Sequence, residues 1–404
     1  MPGTRVRRRT AHRERRRAAH RHALLAVASA VVAIGATAGL IDAGHQEGRD
    51  TARPEPSPSP VLQPLPAVPT PPPTPAAPAP SASSARPAPA PSPSDTPARP
   101  SAAPAPPPTR TTAPAPAPRS RLFRHPRSQV LDWVRAHPDD PRRPVIESRI
   151  ATQPAAVWFA AHNPGEIAGQ VRDVTRGAAA AGRIPVLVPY AIPDRDCGGA
   201  SKGGAPDLAA YDAWIREFAQ GLGAGAAIVI LEPDAIALSD CLSASGRAAR
   251  FASLARAGRV LRAAGPRARV YFDGGHSGWH TPEKQAATLR AAGAATDGDG
   301  IFTNVSNFHR TADETAYARA VLAALGGPAG LGAVIDTSRN GNGAPAAGQW
   351  CDPAGRALGR TPTTRTGEAR IDAYLWVKLP GESDGCSGAA GSFTPEYAYA
   401  LATG

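Results

Sequence analysis

The chain has 404 residues and an overall formal charge of +12, but the charge is unevenly spread: residues 1–127 hold 18 Lys plus Arg against 6 Asp plus Glu, and residues 128–404 hold 27 of each sign. The basic pI therefore describes the N-terminal part, which removes the main support for nucleic-acid binding by the rest. Lysine occurs only at 202, 284 and 378 beside abundant arginine, a coding bias that says nothing about mechanism.

Residues 1–22 are an arginine-rich head, and 23–41 (ALLAVASAVVAIGATAGLI) are an uninterrupted, weakly apolar run containing Ala36-Thr37-Ala38. A positive head followed by such a run is an export signal, so the protein is expected to be secreted. An uncleaved membrane tether through residues 23–41 is the alternative, because 19 residues approach the length that spans a bilayer. The signal or anchor is assigned to residues 1–45 and a Pro/Ala/Ser/Thr-rich linker to 46–120. Within that linker residues 54–118 hold 26 of the 46 prolines. Such a segment has no apolar surface to bury and is expected to stay extended as a spacer.

Residues 121–404 read as one α/β domain. Strand-like runs are AVWFA (156–160), IPVLVPY (184–190), AAIVILEP (226–233), ARVYFDGG (268–275), GIFTNVS (300–306), GAVIDTS (332–338) and AYLWVKLP (373–380). Stretches such as AAYDAWIREFAQGL and GRAARFASLARAGRVLRAAG have helical character and lie between them. Alternation of this kind predicts a parallel sheet with crossover helices, either doubly wound or closed towards a barrel. No Gly-rich phosphate loop follows the first strand, which argues against nucleotide binding.

Polar residues follow nearly every strand: Trp158; Tyr190 with Asp194, Arg195 and Asp196; Glu232 and Asp234; Asp273 and His276; Asn304 and Asn307; Asp336 and Arg339; Lys378, Glu382 and Asp384. A lone acid after a strand is usually a helix cap, and a lone Trp is as often core filling as a binding surface. Their recurrence at one end of a parallel sheet instead predicts a site there. Carboxylates, amides and cations suit hydroxyl groups, and Trp158, Trp279 and Trp350 suit the apolar faces of sugar rings. A pair of carboxylates then supplies the chemistry of glycoside hydrolysis, one acid held protonated by its neighbours.

From about residue 147 onward the chain resembles glycoside hydrolase family 6, the inverting cellulases, and in particular its open-cleft bacterial endo-β-1,4-glucanases. The resemblance is carried by VPYAIPDRDCGG (188–199), ILEPDAIAL (230–238), YFDGGHSGWH (271–280), TNVSNF (303–308), VIDTSRNGNG (334–343), QWCDPAGRALG (349–359) and WVKLPGESDGCSG (376–388). It implies a distorted, partly open seven-stranded parallel β/α barrel, similar to a TIM barrel. It also implies that Asp234 is the general acid, that Asp196 raises the acid's pKa and helps organise the water, and that Tyr190 crowds the sugar ring. Asp273 would order the cleft electrostatically, with Gly274 in place of the family's usual alanine, and Asp384 matches the position proposed as base. Lys378, Glu382, His276 and Asn307 would contact sugar hydroxyls, while Trp158, Trp279 and Trp350 match stacking platforms. The family's water-holding serine is replaced by Lys202, with Ser201 beside it.

Four cysteines in an exported protein read as two disulfides with three possible pairings, and the resemblance selects Cys197 with Cys241 and Cys351 with Cys386. His276 and His280 have the spacing of a metal pair but lack a third ligand, so no metal and no cofactor are expected. The few residues between Cys386 and Phe393 are too short to roof a cleft. The expected partner is therefore a β-1,4-glucan cut internally by a monomer, with no nucleic acid and no separate cellulose-binding module. The rivals are a chain-end cellobiohydrolase and a non-catalytic glucan binder.

Overall fold

The computed structural model describes residues 121–199 and 201–404. The readings made for residues 1–120, the export signal, tether and linker, lie outside them. Seven strands form one parallel sheet in chain order: β1 Val157–Phe159, β2 Val186–Pro189, β3 Ala227–Leu231, β4 Ala268–Asp273, β5 Gly300–Thr303, β6 Gly332–Asp336 and β7 Ile371–Leu375. The first six fall within the runs read from the sequence and end before them, whereas β7 begins two residues ahead of the run read at 373–380 and ends at Leu375. The sheet curls into a half-barrel whose edges β1 and β7 share no ladder. At that seam the Ala156 N–H donates to the Trp376 carbonyl at 2.9 Å and the Trp158 indole to the Val377 carbonyl at 2.7 Å.

Crossover helices start where short polar side chains can satisfy free N–H groups. Asp207 accepts from the Ala210 N–H at 2.8 Å ahead of helix Leu208–Gln220, and Ser243 from Gly246 at 3.1 Å ahead of Ala244–Ala264. Thr281 caps Pro282–Ala291, with Pro282 where a missing N–H costs nothing. Gly258 lets the long helix approach closely, since a Cβ there would lie 2.5 Å from the Asp297 carbonyl oxygen.

Alternation along the strands divides the core. Phe159, Leu187, Val229, Leu231, Val270 and Phe272 pack outward under the helices, and Val188, Ile228, Ile230, Tyr271, Phe302 and Val334 fill the barrel. Leu122, paired with Ile184 ahead of β2, belongs to the inner cluster. Burial of the larger side chains contributes on the order of 1.5–3 kcal/mol each. None of the helices of the described residues is long and apolar enough to cross a membrane.

Candidate active site

The strand ends rising from this core open into a cleft of about 820 Å³. Tyr190, Asp196, Asp234, Asp384, Trp158, His276, Trp279, Asn307, Trp350, Lys378 and Glu382, eleven of the twelve residues expected in the site, line it together with Ser201 and Lys202. Asp273 is the twelfth, and it lies 2% exposed behind the wall.

Its position shows how the local structure is made. Asp273 accepts from the N–H groups of Ile236 (3.0 Å), Ala237 (2.8 Å) and Gly275 (2.9 Å). Glu232, wholly buried, does the same for Ala191 and Ile192 at 3.0 Å. Asp336 accepts from Ser306, Ser338 and Lys378 at 3.2, 2.9 and 3.1 Å. Each buried carboxylate satisfies amides of its own or a neighbouring loop, so these three acids latch the rim. Gly274 is more than a small change from alanine, because a Cβ there would meet the Phe302 carbonyl oxygen at 2.8 Å.

Asp234 emerges between two such latches. Glu232 and Asp234 have φ of 50° and 69°, left-handed conformations that turn the chain sharply after Leu231. The segment that follows is a turn closed by the Leu238 N–H on the Asp234 carbonyl at 2.9 Å. The Asp234 side chain caps no helix. Burial first, then the charges of Asp273 and Asp196, push its carboxyl up to about 8, so it is protonated at neutral pH. Burial likewise pushes Glu232 up to about 7 against the opposing amides of Ala191 and Ile192.

Asp196 sits in a loop of left-handed residues, with φ of 51° at Asp194, 55° at Asp196 and 47° at Cys197. Its Oδ2 accepts from the Ser201 N–H at 2.7 Å, and the Cys197–Cys241 disulfide ties the loop to the turn after β3. Arg195 clamps the same loop: it donates to the carbonyls of Ser201 and Ala160, both at 2.7 Å, and to that of Tyr190, and lies 4.6 Å from the Tyr190 ring centroid. Burial, then the charges of Asp234 and Asp196, holds the Tyr190 phenol well above its usual range, so it stays protonated.

The opposite wall is built on ion pairs. Asp384 Oδ2 accepts from the fully buried Arg339 at 2.7 Å and from the Asp352 N–H at 3.2 Å, and its Oδ1 lies 3.6 Å from the Lys378 ammonium. Lys378 donates to the Ser383 carbonyl at 3.0 Å. Glu382, bonded by Gln129 at 3.2 Å, is pushed up to about 7 by burial despite Lys378. Cys351–Cys386, the second disulfide, closes this wall. Arg339, Asp352 and Gln129 had no assigned role in the sequence reading, since the partners they meet here are 32 to 253 residues away. The available signals were the place of Arg339 after β6 and the fact that Arg339 and Asp352 lie inside quoted motifs.

His276 accepts from the Gly278 N–H at Nδ1 (3.1 Å), and burial with the charges of His309 and His280 holds its pKa down to about 3. It is neutral, with Nε2–H as donor. His280 turns away and donates to the Ala237 carbonyl at 3.0 Å. Among the described residues no group of three or more His, Cys, Asp or Glu is arranged to hold a metal. Trp350, 56% exposed, presents a free aromatic face at the cleft margin, whereas Trp158 is half-buried edge-on to Tyr190 with centroids 5.2 Å apart.

The model of the glycosyl hydrolases family 6 matches residues 123–403. Endoglucanase 1 of Streptomyces sp. (strain KSM-9) is 55% identical over 273 residues, covering 67% of this chain and 75% of that protein. The 1,4-β-D-glucan cellobiohydrolase C of Emericella nidulans is 31% identical over 284 residues, covering 59% of this chain and 61% of that one. Among solved structures, the endoglucanase Cel6 from Mycobacterium tuberculosis, in complex with methyl-cellobiosyl-4-deoxy-4-thio-β-D-cellobioside, superposes with a TM-score of 0.65 at 42% identity, covering 70% of this chain and 97% of that one.

Proposed function

Because the chain belongs to glycosyl hydrolases family 6 and is therefore a glycoside hydrolase, we propose that it is a secreted endo-β-1,4-glucanase that acts by single displacement with inversion. The observation that carries this reading is Asp234: a cleft carboxyl, pushed up to about 8, beside two further carboxylates and latched on both sides. It gives its proton to the glycosidic oxygen as the bond to the anomeric carbon breaks. Water adds to the opposite face of that carbon and yields its proton to Asp384 Oδ1, the oxygen that the direct hydrogen bonds leave free. Asp196 keeps Asp234 protonated between turnovers, and Tyr190 crowds the ring in the subsite where the bond breaks.

Internal cleavage is supported by the margins of the cleft. Ser383 and Gly391 are tied back on each other through Ser383 N–H to Ser392 O and Gly391 N–H to Ser383 O, both 2.8 Å, so this short segment folds on itself beside the cleft. The exposed face of Trp350 offers a sugar a platform. The cellobiohydrolase relative favours the alternative, a chain-end enzyme, and one assay separates them. The purified protein should lower the viscosity of carboxymethylcellulose early relative to reducing ends formed, and NMR of cello-oligosaccharide hydrolysis should show the α-anomer first. Slow viscosity loss would select the chain-end reading, and an initial β-anomer would overturn inversion. Secretion is supported by two disulfides, which persist outside the cytoplasm. N-terminal sequencing of protein from the medium would test it, and recovery with membranes would select the anchor.

A further inference from the structure

The Asp352 carboxylate is the centre of a clasp that the proposed chemistry does not use. Its Oδ1 accepts from the Asp384 N–H at 2.7 Å, and its Oδ2 accepts from the Ser383 hydroxyl (2.6 Å), the Cys386 N–H (3.1 Å) and the Ser387 N–H (2.8 Å). In return the Asp352 N–H donates to Asp384 Oδ2 at 3.2 Å. Asp352 makes that return bond at φ 45°, a left-handed torsion that aspartate adopts more readily than most residues. Five hydrogen bonds therefore join QWCDPAGR to GESDGCS at one point, beside a disulfide that already joins the two segments covalently.

A second crosslink at the same place is redundant for holding the segments together, but it is not redundant for aiming a side chain. The disulfide fixes Cys386, two residues beyond Asp384, and leaves the backbone torsions of Asp384 free. The clasp takes hold of the Asp384 N–H and one of its two carboxylate oxygens. With Arg339 it occupies Oδ2 from two directions, so Oδ1, 3.6 Å from the Lys378 ammonium, is the oxygen left without a direct hydrogen bond. Burial alone would raise the Asp352 carboxyl, but the Ser383 hydroxyl and the amides of Asp384, Ser387 and Cys386 hold it down to about 2. It thus stays charged across the working range and cannot donate to Asp384.

We propose that Asp352 is a positioning residue for the hydrolysis: it sets the orientation of Asp384 so that Oδ1 meets the attacking water. The proposal rests on the reading of Asp384 as the base. Displacing a reacting group by about 1 Å can cost on the order of 100-fold in rate. Asp352→Ala is therefore expected to lower kcat about 10- to 100-fold, with KM for a soluble cello-oligosaccharide changed less than about 2-fold, because the sugar-facing side chains stay in place.

The deciding experiment is a double-mutant cycle on the full-length protein with Asp384→Ala. If Asp352 acts through Asp384, adding Asp352→Ala to Asp384→Ala should lower the residual kcat by less than about 2-fold. An equal loss in both backgrounds would overturn the proposal, as would a raised KM with unchanged kcat. Ser383→Ala removes only the 2.6 Å hydroxyl donor and serves if Asp352→Ala does not fold; it should show a smaller kcat loss that also vanishes in the Asp384→Ala background. Full activity of Asp384→Ala alone would instead overturn the assignment of the base, a failure distinct from that of the clasp.

Discussion

The two walls of the cleft use the same side chain in opposite ways. On the β3 wall Asp234 is half-buried among carboxylates and pushed up to about 8. On the β7 wall Asp352 accepts four hydrogen bonds and is held at about 2, and Asp384 is met by Arg339 and Lys378. One wall withholds compensating charge, which keeps a proton available on Asp234; the other gives Asp352 four donors, which keep that carboxylate ionised, and sets Arg339 and Lys378 beside Asp384. The proposed division of labour between acid and base would follow from neighbours, since the residue type is common to both.

The largest way to break this contrast is to remove the proposed acid. Asp234→Ala should lower kcat on cellulose by about 100- to 10,000-fold, and the loss should shrink on an aryl cellobioside whose leaving group needs no proton, measured by release of the phenol. Next is electrostatics. Asp196→Asn removes one negative neighbour, so Asp234 should ionise more easily and the alkaline limb of kcat/KM should move to lower pH by about one unit. Unmoved limbs would sever Asp196 from the acid.

Stability should show the same asymmetry. Asp234 and Glu232 have folded values raised to about 8 and about 7, so their contribution is present below the unfolded values near 4 and is lost as pH rises through 7 to 8. Asp352 is depressed, so its contribution is present above about pH 4 and lost only as pH falls through about 2. The Tm should therefore decline between about pH 5 and pH 9, and Asp234→Asn should be more stable than the wild type at the alkaline end, by about 2–4 °C for each kcal/mol relieved. Calorimetry across that range checks it; identical slopes in both proteins would count against a protonated Asp234. The smallest effect is expected at Trp350→Ala, where loss of one stacking face should raise KM about 2- to 10-fold with kcat unchanged.

Much of the fold was legible because a parallel strand buried on both faces reads as a continuous apolar run, as AIVIL does. The direction of the site was legible because polar residues collect at one end of those runs. Their separate tasks were not legible from the pattern alone. Glu232, Asp234, Asp273 and Asp336 all appear as an acid at or just after a strand, yet three turn inward to backbone amides and one faces the cleft. That choice depends on which loop's amides pack alongside, which leaves no periodic trace; Glu232 and Asp234 even share a left-handed torsion. The β7 wall was the least legible, because Arg339, Asp352 and Asp384 meet only after residues from three loops converge.

The left-handed backbone at Asp196 and Asp234 also bears on how the site can drift. Glycine, asparagine and aspartate tolerate such torsions, and branched side chains do not. At 234 the chemistry asks for a carboxyl that can give up a proton. Asparagine there meets the backbone demand and fails the chemical one, whereas glutamate, whose torsion Glu232 already adopts in this turn, carries its carboxyl one methylene out of place. The two demands act independently, so the site can be lost without the fold. An inactive descendant of this protein should thus reach asparagine or glycine at 234 with its barrel intact.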